Sequence, residues 1–327
     1  MSLKKRLHIF VENFSSDSRE EFFERELPFL SQKFDEIIIT PLYPGNINLA
    51  IIFPNVKVIQ FDVFASCNRI KIFIRHFILL FSIYFFELFN THHKLYYIKQ
   101  LPSLINLLIL RIGAAERLFK TQKVILSDTV YYSYWFSQFA LILSIFKKFD
   151  NSVCAVSRVH GSDYNESQTR SVLPFRYFQL NFLNSIIPVS QFGANYLIRN
   201  FGLTGRKLYV NRLGLNKSYK LSLSAGGKLN IVSCSSLIPL KRVHLIIDIL
   251  SHITSEVTWH HFGTGPELSK VQELSRKLQP AVKHVFHGYV PNRDFLRFIS
   301  ENEISFFINV SEFEGIPVTL IEAASLG

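Results

Sequence analysis

Apolar and polar positions fall along this chain in blocks that predict strands and helices by turns. Short apolar runs at Leu7 to Val11, Glu36 to Thr40 and Val56 to Phe61 predict the first strands. Between the first two, Asp17 to Phe34 sets apolar residues at helical spacing among glutamates, with Pro28 kinking or dividing the helix. Ile72 to Phe89, Leu101 to Leu118 and Tyr132 to Phe146 predict phenylalanine-rich helices, while Lys123 to Ser127 and Val153 to Val159 predict buried strands. A polar stretch, Asn216 to Lys228, holds Gly226 and Gly227 and predicts a linker between two domains, 1–222 and 223–327. Beyond it, strands are expected at Leu229 to Cys234, Val257 to Phe262, Lys283 to Phe286 and Ile304 to Val310. Helices are expected at Val243 to Leu250 and from Pro317, a residue suited to the first helical position. Strands alternating with helices argue an α/β chain with parallel sheets.

Charge changes this picture in one region. The 327 residues are 48% hydrophobic, with 32 phenylalanines, and carry a net charge of +11. That excess suggests an anionic partner: a membrane surface, nucleic acid or a phosphorylated substrate. Residues 61–148 hold eleven Lys or Arg against four acids, so most of the excess lies among the phenylalanine-rich helices. Aromatic, basic helices of this kind either rest in a bilayer interface or pack a core with solvated rims. The longest apolar run, Phe77 to Phe86, is about half of the ~20 residues a spanning helix needs. The basic start is followed only by a short strand-like run, so no signal peptide is expected. Cys67, Cys154 and Cys234 form no C-x-x-C, which fits buried thiols in a reducing cytosol.

The densest chemistry lies near the end, at Ser311-Glu312-Phe313-Glu314-Gly315-Ile316-Pro317 and on to Glu322-Ala323. The expected strand, turn and helix put Glu314 at a strand's carboxyl end and Glu322 on the first turns of the next helix. In open α/β sheets ligands bind at that edge. Gly315 permits close backbone approach, and the helix start favours a diphosphate. Carboxylates beside a phosphate need hydroxyl partners, so the pair describes a nucleotide-sugar site, with one acid for the ribose and one for the hexose.

S-x-x-E-G-x-P-x-x-x-x-E-A resembles the two-glutamate signature of the retaining, GT-B-fold glycosyltransferases of family 4. The resemblance implies two Rossmann-like domains facing a cleft. It gives Glu314 the donor sugar and Glu322 the ribose diol. Ser235-Ser236-Leu237-Ile238-Pro239-Leu240-Lys241-Arg242 is similar to the family's donor-phosphate loop. Lys241 falls where its lysine belongs, Ser236 stands where an arginine is usual, and Arg242 is adjacent. Gly263-Thr264-Gly265-Pro266-Glu267 is similar to its Gly-x-Gly-Pro-Glu turn, and Gly288-Tyr289-Val290-Pro291 to the loop whose backbone borders the base. His160, in His-Gly-x-Asp after a strand, is similar to the cleft histidine that contacts the donor sugar. The implied site is therefore His160, Glu314 and Lys241 as catalytic residues, with Ser236, Arg242, Gly263, Gly265, Val290, Ser311, Gly315 and Glu322 as donor-binding residues. The loop after the first strand, Glu12 to Asp17, lacks the glycines usual there, and either lines the acceptor side or caps the helix through Ser16 or Asp17.

The activity so implied is sugar transfer with retention from a nucleotide diphosphate sugar to a hydroxyl acceptor, either a lipid-linked or an envelope glycan, as in polysaccharide or lipopolysaccharide synthesis. No cofactor is implied. The chain contains no D-x-D, and Lys241 with Arg242 is expected to replace a metal in neutralising the departing phosphate. The expected place of work is the cytoplasm, on the inner face of the cell membrane and its anionic surface, with no nucleic acid as partner. A nucleotide-sugar epimerase of the same fold and a non-catalytic basic membrane or polyanion binder stay open as alternatives. The family's second domain continues past the Glu322 helix, so the second domain is expected to be incomplete and the chain a fragment.

Overall fold

The structure is a computed structural model, and it describes residues 5–14, 21–43, 53–60, 67–122, 128–166, 171–203, 207–214, 229–314 and 318–326. The chain divides into two compact units, residues 1–213 and 214–327. The expected boundary between 222 and 223 lies outside the described residues, as do the expected strand Lys123 to Ser127, Ser16, Asp17, Gly315 and Pro317.

The first unit is built on a parallel sheet of six strands. In chain order these are β1 (Arg6–Asn13), β2 (Glu36–Tyr43), β3 (Val56–Val58), β4 (Thr129–Ser133), β5 (Cys154–Val159) and β6 (Ser185–Pro188). Their spatial order is β3-β2-β1-β4-β5-β6. The direction of winding reverses between β1 and β4, a topological switch point whose carboxyl edge forms a crevice. Helix α1 (Glu21–Ser31) covers one face through Phe23 and Leu27, one turn apart and both fully buried, with Pro28 inside the helix.

The opposite face carries α2 (Arg69–Arg75), α3 (Phe77–Asn90), α4 (Lys94–Lys99), α5 (Leu101–Gln122) and α6 (Gln138–Phe149). The single helix expected over Ile72 to Phe89 is thus two helices, bent by 80° at His76. The helix expected from Tyr132 is also corrected. Tyr132 belongs to β4, paired with Ile9 and Val156, and the helix starts at Gln138. The apolar run hid the turn because α6 is buried on every side from Phe139 to Phe146 and shows no polar face.

Among the described residues, three further helices follow: α7 (Gly161–Tyr164), α8 (Arg176–Phe182) and α9 (Gln191–Phe201). Ser190 caps α9 by accepting from Gly193 N at 3.0 Å, and Gly202 closes it in the left-handed region at φ 64°. Helix α8 is preceded by Phe175 at φ 62°, which makes no side-chain cap. Glu87 of α3 supplies one instead, accepting from Phe178 N at 2.8 Å and Tyr177 N at 3.2 Å.

The second unit is a parallel sheet in the order β10-β7-β8-β9, from β7 (Leu229–Cys234), β8 (Val257–Phe262), β9 (Val282–Gly288) and β10 (Phe306–Phe307). Helices α10 (His244–Ser251), α11 (Leu268–Ser275), α12 (Asn292–Glu301) and α13 (Val318–Leu326) pack on its faces. Trp259 is wholly buried at the centre, its Nε1 donating to Ser233 Oγ at 2.9 Å. The strand expected over Ile304 to Val310 shortens to Phe306–Phe307, and Phe306 is 59% exposed rather than buried. Backbone pairing does extend one residue either way, through Ser305 N to Asn230 O and Ile308 N to Val232 O.

Candidate active site

The second unit has its own switch point, because β7 pairs with β8 on one side and β10 on the other. Two loops leave the carboxyl ends of β7 and β8 and are stitched together by backbone hydrogen bonds. Ser235 N donates to Phe262 O at 2.9 Å, Leu237 N to Thr264 O at 3.0 Å, and Glu267 N to Leu237 O at 3.0 Å. This explains the paired glycines. A Cβ on Gly263 would lie 2.0 Å from Ser235 O, and one on Gly265 would lie 2.4 Å from Leu237 O. Gly263 also sits at φ 133°. The glycines thus serve the approach of one loop to the other.

The β7 loop ends in a 3₁₀ turn, Pro239–Lys241, followed by Arg242 in the left-handed region at φ 46°. That backbone turn separates the two adjacent cations. Lys241 Nζ donates to Glu314 Oε1 at 2.5 Å, while Arg242 Nε donates to the Val310 carbonyl at 3.1 Å. Leu240 O accepts from Glu312 N at 2.9 Å, which clamps the β7 loop to the segment after β10. Asn309 supports the acid, its Nδ2 donating to Glu314 Oε1 at 3.4 Å and its Oδ1 accepting from Ser311 N at 2.8 Å. Burial pushes the Glu314 carboxyl up, but the bonds from Lys241, Ser311 and Asn309 and the Lys241 charge together hold it below its ordinary value. Lys241, Arg242, Ser311 and Glu314 therefore form one cluster. Ser236 is exposed on the same loop.

Glu322 is 1% exposed, and Asn292 Nδ2 at the start of α12 lies 3.0 and 3.1 Å from its two carboxylate oxygens. Thr319 Oγ1, on the first turn of α13, donates to the Cys234 carbonyl at 3.3 Å and ties that helix to the end of β7. Val290 is half-buried beside the small core of Val232, Phe262, Phe295, Ile299 and Leu326. Asn292 and Asn309 are supports that the sequence did not reveal. Asn292 follows Pro291 at a helix start, where an asparagine signals a cap, and its actual partner is thirty residues away.

In the first unit, His160 follows β5 and packs at a tilt against Trp135, which follows β4, with ring centroids 4.2 Å apart. Asp163 fixes this turn by accepting from His160 N at 2.9 Å and Phe136 N at 3.1 Å. Burial, then the Arg158 guanidinium, lowers the His160 pKa to about 3 against a hydrogen bond to the Tyr134 backbone. The ring is therefore neutral. Its buried Nε2, like the buried Trp135 Nε1, has no hydrogen-bond partner among the described residues. A neutral imidazole with an open nitrogen suits a hydroxyl better than a phosphate. Arg158 itself is buried, paired with Glu26 and donating to Asn211 O at 3.1 Å.

Residues 208–327 match the model of the glycosyl transferases group 1 family. The lipopolysaccharide outer core galactosyltransferase WaaB, solved in its apo form, aligns with a TM-score of 0.66 at 14% identity, over 98% of this chain and 78% of that one. HepE of Anabaena in complex with UDP and glucose aligns at 0.61 and 16% identity over 98% and 78%. TarM aligns at 0.62 and 13% identity over 99% and 84%. The fold is GT-B. No curated protein matches the chain. The family domain and the shared fold support glycosyl transfer as the activity. Among the described residues no single helix is long and apolar enough to cross a membrane.

Proposed function

We propose that this chain transfers a sugar, with retention, from a nucleotide diphosphate sugar to a hydroxyl of a lipid-linked or envelope glycan. The observation that carries the reading is the meeting of Lys241 and Glu314 at the β7–β10 switch point, inside the matched family domain. The barrier lies in departure of the diphosphate from an oxocarbenium-like sugar. A fixed cation aimed at the growing phosphate charge lowers it. Lys241 takes that role, and Arg242 holds the loop through Val310. Glu314 receives the donor sugar's hydroxyls, and Glu322, held by Asn292, receives the ribose diol. His160, neutral and with Nε2 open, accepts from a sugar hydroxyl. Same-face attack with the leaving phosphate as base fits a site whose acids are committed to hydroxyl binding.

UDP- and glycan-bound relatives of this fold make a uridine or related nucleotide sugar the first donor to test. The acceptor classes place the chain at the inner face of a cell membrane as a peripheral protein. Titration calorimetry with a panel of UDP-, GDP- and ADP-sugars, followed by product analysis, tests the reading. A binding donor that yields free sugar and nucleotide diphosphate supports it. An isomerised nucleotide sugar would make the chain an epimerase, and no affinity for any nucleotide sugar would remove the donor site altogether.

A further inference from the structure

Helices α2, α3 and α4 carry a surface that the site does not use. Five phenylalanines rise along α2 and α3 at one-turn spacing and touch in sequence. Phe73–Phe77 centroids are 5.4 Å apart, Phe77–Phe81 4.7 Å, Phe81–Phe85 6.0 Å and Phe85–Phe89 6.1 Å. Phe73 and Phe81 are half-buried against the core, and the other three face outward. Phe89 is 73% exposed, and Phe77 and Phe85 are each exposed by more than two-fifths. Ile70, Ile74 and Ile78 are exposed by 70% or more. Ile70 and Ile74 line a shallow depression of about 450 Å³ with Asn68, Lys71 and Arg75. Helix α4 repeats the composition, with Leu95 and Ile98 exposed between Lys94 and Lys99.

The charge is one-sided. Residues 67–101 hold five cations, Arg69, Lys71, Arg75, Lys94 and Lys99, all exposed. Their one carboxylate, Glu87, is buried as the cap of α8. Among the described residues, neighbouring elements supply two acids that pair with this face: Glu116 of α5, which pairs with Arg75 and Lys120, and Glu166, which meets His93. The outward face is therefore apolar and positive.

We propose that this face docks on the headgroup boundary of an anionic phospholipid bilayer. The phenylalanine and isoleucine rows enter the acyl edge, and Arg69, Lys71, Lys94 and Lys99 reach lipid phosphates. This deepens the peripheral membrane placement above and rests on it. The face lies in the membrane surface: α3, with 14 residues, is about 21 Å long against a ~30 Å hydrocarbon core, and the 80° bend at His76 keeps α2 from lengthening it into a straight span. A second copy of the chain is the poorer occupant, because two such faces would set cation against cation across an apolar contact. Nucleic acid is poorer still, since a phosphate backbone offers nothing to the isoleucine row.

The test is sedimentation of the full chain with vesicles of phosphatidylcholine alone and of phosphatidylcholine with phosphatidylglycerol, across salt. One variant is Ile74→Ser with Ile78→Ser and Phe89→Ser; a second is Arg69→Gln with Lys71→Gln. All five positions are exposed, and circular dichroism melts are the check that each variant still folds. Val285→Ser, exposed on β9, is the control. Wild type is expected to bind the anionic vesicles and weaken as salt rises. The charge variant is expected to lose about thirtyfold at low salt. The apolar variant should lose binding at every salt level, and the control should bind as wild type does. Failure of wild type to bind anionic vesicles overturns both the membrane placement and this inference. Wild-type binding that survives in both variants overturns the inference and leaves the placement standing. The inference also falls if the apolar variant turns a dimer into a monomer, or if both variants keep full affinity for soluble heparin that displaces the vesicles.

Discussion

In the absence of donor, Lys241 is already occupied, and this makes the two halves of its ion pair separable by experiment. Nζ and Oε1 are 2.5 Å apart, and the two side chains are 20% and 23% exposed. At an effective dielectric of about 20 the attraction is ~6–7 kcal/mol. Desolvation of two half-buried ions offsets most of it, leaving a net on the order of 1–3 kcal/mol. An incoming diphosphate competes with Glu314 for the ammonium. Glu314→Gln removes the competing charge, so affinity for the bare nucleoside diphosphate should rise by roughly three- to tenfold while sugar transfer falls. Lys241→Ala should move the same affinity the other way, by about tenfold to a hundredfold, the worth of one hydrogen bond to a charged group. Titration calorimetry with the bare nucleotide and single-turnover transfer with the full donor measure the two effects separately. Acid offers an independent check. The Glu314 carboxyl is held below its ordinary value of 4.5, so the pair is present above that pH and is lost as pH falls through the depressed value. If Glu314→Gln weakens bare nucleotide binding as much as Lys241→Ala does, Glu314 touches the nucleotide itself and the competition is wrong.

Glu322→Gln should weaken the bare nucleotide by about tenfold or more, and Asn292→Ala should follow it in part by releasing the carboxylate; unchanged affinity in the first would end the ribose assignment. Burial pushes the Glu87 carboxyl up to about 7, so the stability it contributes is full below 4.5 and is lost as pH rises through 7. Glu87→Gln should therefore flatten the pH dependence of urea unfolding by about 2–3 kcal/mol between pH 5 and 8, and parallel curves for the two proteins would refute this. A chelator should leave transfer intact because Lys241 carries the phosphate charge; activity lost to chelation and restored by magnesium or manganese would contradict that role.

The strands of the second unit, and the places of Lys241 and Glu314 after them, were legible because their signals are local. Leu229 to Cys234 and Val257 to Phe262 are buried parallel strands, and each apolar run ends where its strand does. Lys241 and Glu314 were readable as a lysine after a strand and a glutamate after a strand, although 73 residues separate them. What the sequence hid depends on distant partners or on missing contrast. Nothing near Asn292 or Asn309 marks them as supports for carboxylates. The bend at His76 falls at the polar pair Arg75-His76 between two apolar segments, and so short an interruption does not by itself signal a helix break; β4 shared its aromatic composition with the helix after it. Adjacency in sequence also hid the left-handed turn at Arg242, through which its Nε meets the Val310 carbonyl.

The six-stranded sheet also sets a timetable for synthesis. Strand β1 lies at its middle, paired with β2 from Arg6 to Glu36 but with β4 only from Arg6 to Thr129. The second partner is made 123 residues after the first strand. At a synthesis rate of about 5–20 residues per second, one edge of β1 waits roughly 6–25 seconds for its neighbour. During that wait the phenylalanine- and isoleucine-rich helices from Arg69 to Gln122 leave the ribosome with no completed sheet to cover them. Exposed apolar surface and an unpaired strand edge favour aggregation during that interval, and a chaperone or a nearby bilayer would shield those helices until β4 arrives.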